Sequence, residues 1–257
     1  MNIHPGVEAY FEAISYKNKV ENHAEIINLD QVLGIQYPQW LTHPWPRSFN
    51  YQLEFFTGDN PPAHVKNQIQ KFLKNNPEEH IVDVFSEKLH QLIPAYRDLG
   101  YLHAWSNILM VRKISVHEKK SSSPEIEIKF IKTTADVALV NTTEPDNPCS
   151  TNGLDDPAIH NLMAFYKGQV CAKAQVITLP GKFAYIGDLF THPDFRRRGI
   201  STNLLQEMHQ IGLNAGKSMS ILVPSKMTKE FELFQKFSYQ SLTPMALLVP
   251  ENPQSSG

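Results

Sequence analysis

Phe183-Ala184-Tyr185-Ile186-Gly187-Asp188-Leu189-Phe190-Thr191-His192-Pro193-Asp194-Phe195-Arg196-Arg197-Arg198-Gly199-Ile200-Ser201 runs from an apolar strand through a Pro-marked turn and a basic, glycine-bearing loop into a helix. Leu204, Leu205, Met208, Ile211 and Ala215 give that helix an apolar face with a 3.6-residue period. Gly216 is its expected stop. A strand that feeds an Arg-rich turn into a helix N-terminus is a ready anion site. The first helical amides lack partners within the helix and sit at the positive end of its dipole. Gly199 lets the backbone come close to a ligand, and three arginines add positive charge. The stretch therefore reads as a phosphate or pyrophosphate cradle, with a solvated basic turn as the bland alternative.

The order Arg196-x-x-Gly199-x-Ser201, shortly after Thr191-His192-Pro193, resembles the acyl-CoA loop of the GNAT superfamily of N-acetyltransferases. The family pattern is Gln/Arg-x-x-Gly-x-Gly/Ala, and Ser201 stands where Gly or Ala is preferred. The placement between a strand and an amphipathic helix makes so short a match meaningful.

The chain has 257 residues, enough for one large domain or two of about 130 residues. Hydrophobic residues make up 41% and charged residues 19%, a balance that fits a packed core and excludes global disorder. The net charge of -2 argues against a nucleic-acid binder, so the arginine triplet is a local device. Cys149 and Cys171 form no CxxC, and the eleven histidines show no metal-ligand spacing, so no metal is expected. Cys171 lies in an apolar stretch and reads as a buried thiol. With neither a signal pattern nor a long apolar span, the expectation is a cytoplasmic protein without membrane association.

Taken in order, Val7, Tyr10, Phe11 and Ile14 have helical spacing. The Pro- and aromatic-rich stretch from Ile35 to Pro46 suggests an irregular surface loop. Phe49 to Phe56 reads as a strand, and Pro62 opens a helix that Asn75-Asn76-Pro77 ends. His80 to Phe85 is a strand, Ser86 can cap a helix, and Pro94 should kink or restart it. Tyr96-Arg97-Asp98-Leu99-Gly100-Tyr101 and a strand through Val111 follow, an order that resembles the closing half of a GNAT domain. His117 to Pro124 is polar and is the best linker. Beyond it come a strand at Glu125 to Ile131, a long loop from Thr142 to Pro157, and a hairpin turning on Gly168. A strand at Met219 to Val223, a helix from about Thr228 to Phe237 and a last strand at Met245 to Val249 complete the pattern. Tyr101 to Val111 and Tyr239 to Val249 are equally long, and each follows a helix and an apolar strand.

The expected fold is α/β (α+β): two GNAT-like domains in tandem, each a mixed, mostly antiparallel twisted sheet flanked by helices. The expected spans are 1–116, a linker at 117–125, and 126–257. The first copy has no acyl-CoA loop, and the second carries a splayed central strand pair. The resemblance implies acetyl-CoA as cosubstrate. Its pyrophosphate would lie on Arg196, Arg197, Arg198, Gly199, Ile200, Ser201 and Thr202, with Leu189, Phe190 and Thr191 along its pantetheine arm.

Transfer needs hydrogen-bond donors where charge develops on the thioester, a route for the amine proton, and an acid for the departing thiolate. By family analogy a carboxylate would stand at Tyr185 or Gly187, and neither is acidic. Asp188 is the carboxylate of this strand, and it faces away from Tyr185 unless a bulge re-aims it. Asp188 and Tyr185 are the catalytic candidates. His192, beside the turn, reads as loop-positioning. Phe234 replaces the family's acid tyrosine and is kept as a cofactor-contacting residue; Met227 stands where the family often has a cofactor-contacting Asn. Tyr239 reads as a core aromatic. The Thr142–Pro157 loop is either an acceptor wall or a plain surface loop. The expected function is transfer of an acetyl (acyl) group to a primary amine of a small molecule, amino acid or peptide, by a monomer or homodimer. The alternative is a non-catalytic CoA-binding sensor. A nucleotide loop is disfavoured, because neither glycine-rich nucleotide fingerprint is present.

Overall fold

A computed structural model describes residues 3–43, 49–74, 80–115, 123–224 and 229–251. The first half runs α1 (Pro5–Asn22), β1 (Glu25–Leu29), β2 (Val32–His43), β3 (Phe49–Thr57), α2 (Pro62–Leu73), β4 (His80–Phe85), α3 (Leu89–Arg97) and β5 (Tyr101–Lys113). The second runs β6 (Ile126–Phe130), α4 (Thr134–Asn141), β7 (Ile159–Tyr166), β8 (Gln169–Ile177), β9 (Phe183–Thr191), a 3-10 turn at Pro193–Phe195, α5 (Ile200–Asn214), β10 (Met219–Leu222), α6 (Lys229–Lys236) and β11 (Gln240–Pro250). The protein forms two compact units: Met1–Met110 together with Val223–Gly257, and Val111–Leu222.

In the first unit the strand order is β1-β2-β3-β4-β11-β5. β3 and β4 are parallel, joined by α2, and stay paired from Leu53–His80 to Thr57–Val84. β11 lies antiparallel to β4, with Met245 opposite Phe85 and Leu248 opposite Val82. Met245 to Leu248 are buried without a break, which marks a strand covered on both faces. Ala246 and Leu248 share a core with Val65, Ile69, Val82, Val84 and Tyr96. The contiguous span 126–257 expected for the second domain is therefore not how the compact units divide. The chain's last strand completes the first unit's sheet. Most of the expected linker, residues 117–122, falls outside the described residues.

In the second unit the order is β10-β9-β8-β7-β6. All its neighbours are antiparallel except β9 and β10, the parallel pair joined by α5. β7 and β8 turn through Lys167 and Gly168, both at positive φ, the backbone of a two-residue type I′ hairpin. Gly216, at φ +74°, ends α5 as expected. The Lys217 amide bonds the Gly212 carbonyl and the Gly216 amide bonds Leu213, a Schellman close.

Three local readings change. Ile35 to His43 belongs to β2, whose register shifts between Gln36 and Leu41, so that a bulge takes Pro38 and exposes Trp40. Residues 44–48 are not described. α3 continues through Pro94 in its second turn; the missing amide costs one intrahelical hydrogen bond, and the proline's own carbonyl still accepts from the Asp98 amide. α4 has no counterpart in the pattern reading. Its signal was Thr133-x-x-Asp136, which forms a reciprocal capping box.

Candidate functional site

β9 carries the local irregularity that builds the site. Gly187 pairs with Gln175 and Phe190 with Lys173, so two residues of β9, Asp188 and Leu189, oppose Ala174 alone. Asp188 has φ +49°, a left-handed conformation inside a strand. This is a β-bulge, and Asp tolerates the conformation better than most residues. The parallel partner β10 follows β9 only from Phe183–Met219 to Tyr185–Ile221, while β9 continues to Thr191. The β3–β4 pair of the first unit, by contrast, stays closed to the end of β3.

Beyond Thr191, the His192 amide bonds the Cys171 carbonyl, and His192 Nδ1 accepts from the Asp194 amide at the start of the 3-10 turn. Arg196 Nε donates to the Thr191 carbonyl at 3.0 Å, and Thr191 Oγ1 lies 3.0 Å from Ser201 Oγ. These contacts tie both ends of the basic loop together. Arg197 has φ +65° and Gly199 φ +80°, so the loop makes two left-handed turns before the helix. Gly199 is the N-cap of α5 and offers no side chain to its amides; the first turn has no acidic residue. The amides of Ile200, Ser201 and Thr202 thus face an anion-attracting end with no internal competitor. Arg198 stacks on the Tyr166 ring, 4.9 Å from its centroid, and lies 5.8 Å from Phe195. The loop from Arg196 to Gly199 is exposed.

In the first unit the parallel pair β3–β4 is joined by α2. α2 begins at Pro61-Pro62, which have no amide hydrogens to offer. The loop before it carries Asp59, paired with Lys88 at 3.2 Å and accepting from Ser86 Oγ.

The face of β9 turned away from α5 holds the polar candidates. Ala184 lies against Gly212 of α5, so Tyr185 and Gly187 point to the other side. A Cβ at residue 187 would sit 2.8 Å from the Tyr185 ring and 3.1 Å from its hydroxyl. Tyr185 thus fills the space of a side chain at 187, which explains why no carboxylate stands there. Gln175, opposite Gly187, donates to Asn161 Oδ1 at 2.8 Å, and both are buried.

Lys173, only 3% exposed, pairs with Glu144 at 2.8 Å and also donates to the Asn147 carbonyl. This pair pins the long loop to β8. The pattern reading missed Asn161, Lys173, Gln175 and Glu144. Their signal was the alternation of polar residues 173 and 175 with Ala172 and Ala174 in an otherwise apolar strand. Glu144→Gln should leave the Lys173 ammonium buried with a weaker partner. The expected loss is about 3 kcal/mol, the low end for breaking a buried pair because Glu144 is partly exposed. Urea denaturation of Glu144→Gln and of the Glu144→Gln/Lys173→Met pair checks this, with part of the loss recovered in the double variant.

Cys171 is fully buried and donates to the Ala164 carbonyl; burial pushes its thiol up to about 11, so it is no nucleophile. Phe234 lies in the first unit, buried against Tyr239 with ring centroids 5.7 Å apart, and Tyr239 is the expected core aromatic. Met227 is outside the described residues. Among the described residues there is no cluster of three metal-ligating side chains and no helix long and apolar enough to cross a membrane.

Residues 130–239 match the model of the Acetyltransferase (GNAT) family. The fold is that of solved GNAT structures. A GCN5-related N-acetyltransferase from Kribbella flavida aligns with a TM-score of 0.67 at 11% identity, over 98% of this chain and 97% of that one. A GCN5-related N-acetyltransferase from Sphaerobacter thermophilus aligns with a TM-score of 0.58 at 14% identity, over 88% and 83%. No curated protein matches in sequence.

Proposed function

We propose that the protein is an acyl-CoA N-acyltransferase that moves an acetyl group from acetyl-CoA to a primary amine of a small molecule, amino acid or peptide. The observation that carries this is the strand pair β9–β10. It parts after Tyr185, β9 bulges at Asp188, and the strand then leads into a helix N-terminus capped only by glycine. Parting leaves backbone groups of β9 available to an extended, amide-bearing ligand arm, and the helix end suits that ligand's pyrophosphate.

In this reading Arg196 to Thr202 hold the pyrophosphate, and Leu189 to Thr191 line the pantetheine arm. The backbone beyond the bulge supplies a donor to the thioester oxygen as charge develops. The bound cosubstrate supplies the activated acyl group. Tyr185, whose hydroxyl occupies the space beside Gly187, and Asp188 at the bulge are the groups placed to exchange the amine proton, directly or through water. Lys173 and Glu144 hold the 142–157 loop as a wall on the acceptor side.

The first unit repeats the parallel strand–helix–strand arrangement. Its closed strand pair and proline-headed helix support reading it as a second GNAT-like copy that has lost its cofactor loop. A sensor is favoured instead by Phe234, which by the family resemblance replaces the acid tyrosine and which packs against Tyr239.

Incubation with acetyl-CoA and pools of amino acids, polyamines and short peptides tests the choice. Thiol release that depends on added amine is expected. Tight CoA binding without amine-dependent thiol would overturn catalysis and leave the sensor.

A further inference from the structure

A buried acidic group lies in the first unit. Asp83 on β4 is 3% exposed, and Tyr37 on β2 is 4% exposed. Tyr37 Oη donates to Glu54 Oε2 at 2.5 Å, and Tyr51 meets Tyr37 edge-on with ring centroids 6.1 Å apart. Glu54 and Asp83 sit on the neighbouring parallel strands β3 and β4 and interact directly. Asp83 Oδ1 is buried and has no hydrogen-bond partner among the described residues.

Among the described residues, no cation is paired with this group. β11, paired with β4 across Asp83 and Leu247, has no titratable side chain from Gln240 to Pro250. α1 packs near β3 and β4 through Phe11, against Phe56 and Phe85, and Tyr10, against Phe85. Its Lys17 is paired with Glu21. Two ionised carboxylates in such a place would repel and lie poorly solvated. One proton resolves the conflict. A neutral Asp83 can donate to Glu54, Glu54 as carboxylate accepts from both Asp83 and Tyr37, and the remaining Asp83 oxygen is an uncharged carbonyl.

We propose that Glu54 and Asp83 share one proton, carried by Asp83, so that the first unit loses stability as pH rises above the ordinary carboxylate range. Burial, then the neighbouring Glu54 charge, holds Asp83 well above the usual carboxylate range, and burial raises Glu54 as well. In the unfolded chain both groups ionise at ordinary carboxylate values, near pH 4. Above that pH the folded state holds one proton more, so stability falls as pH rises until the pair's last proton leaves. The slope is one proton, about a tenfold loss of the folding equilibrium constant per pH unit.

The test is urea denaturation of the full chain from pH 5.5 to 9, for wild type, Asp83→Asn and Glu54→Gln, beside infrared spectra with labelled aspartate. The wild type should lose stability with that slope and show a protonated-carboxyl band at neutral pH. Asp83→Asn should flatten the slope and remove the band; Glu54→Gln, which removes the neighbouring charge and leaves the burial, should move the loss of the band to lower pH, and serves if Asp83→Asn does not fold. A wild type with no such band, a folded Asp83→Asn with the same slope, or a folded Glu54→Gln whose band is lost at the same pH as in the wild type overturns the proposal. So does a flat profile in which added methylammonium raises the midpoint, which would make the site one for a cation.

Discussion

Removing residues 240–257 is expected to abolish cooperative folding of the first unit while residues 111–222 keep their secondary structure. β11 is inserted between β4 and β5, and Met245, Leu247 and Leu248 are each 3% exposed or less. Burying side chains of this size contributes roughly 1.5–3 kcal/mol each. Three of them are comparable with the whole stability of a domain, about 5–15 kcal/mol. The truncation also strips β4 of one of its two ladder partners and opens the core around Val82, Val84 and Tyr96. Hydrogen exchange read by mass spectrometry checks it: protection should vanish over β3, β4 and α2 and persist over β7 to β9. Retained protection in β4 would show that the first unit stands without its last strand.

The second large effect concerns the basic loop. Gly199→Trp, or Arg196→Glu with Arg198→Glu, should weaken CoA binding by at least a hundredfold without unfolding the protein. Gly199 is at φ +80°, so any L side chain there is strained, and a bulky one would crowd the α5 amides. The arginine pair reverses the charge facing an anion, and Arg196 also loses its bond to the Thr191 carbonyl. The loop residues are exposed, so the arginine changes should alter stability little, and Gly199→Trp should cost only its backbone strain, about 1–3 kcal/mol. Calorimetry with CoA, paired with a thermal melt, separates the two effects. Unchanged affinity would show that the anion site lies elsewhere.

These two expectations come from different layers of the sequence. The loop was legible because its signal is local: Arg196 to Ser201 follows an apolar strand and heads a helix of clear period, and α5 starts and stops where that pattern places it. The bulge was legible only as a condition on Asp188. Its left-handed backbone follows from pairing with β8, which no window on β9 contains. The place of β11 was not legible at all. Met245 to Val249 reads as a buried strand, but periodicity does not say which sheet receives it. The same limit hid the Tyr37–Glu54–Asp83 group. Each residue sits in an ordinary alternating strand, and only the register of β2, β3 and β4 brings them together. Lys173 and Glu144 were missed for that reason too, being joined by a contact across 29 residues of chain.

Amide chemical shifts during a CoA titration test the central claim most directly. Binding is predicted to move the amides of Gly199, Ile200, Ser201 and Thr202 most, with a second group at Leu189 to Thr191 and little change at Asn60 to Val65 in the first unit. Saturable CoA binding that leaves residues 199–202 unmoved, or no binding at millimolar CoA, would contradict it.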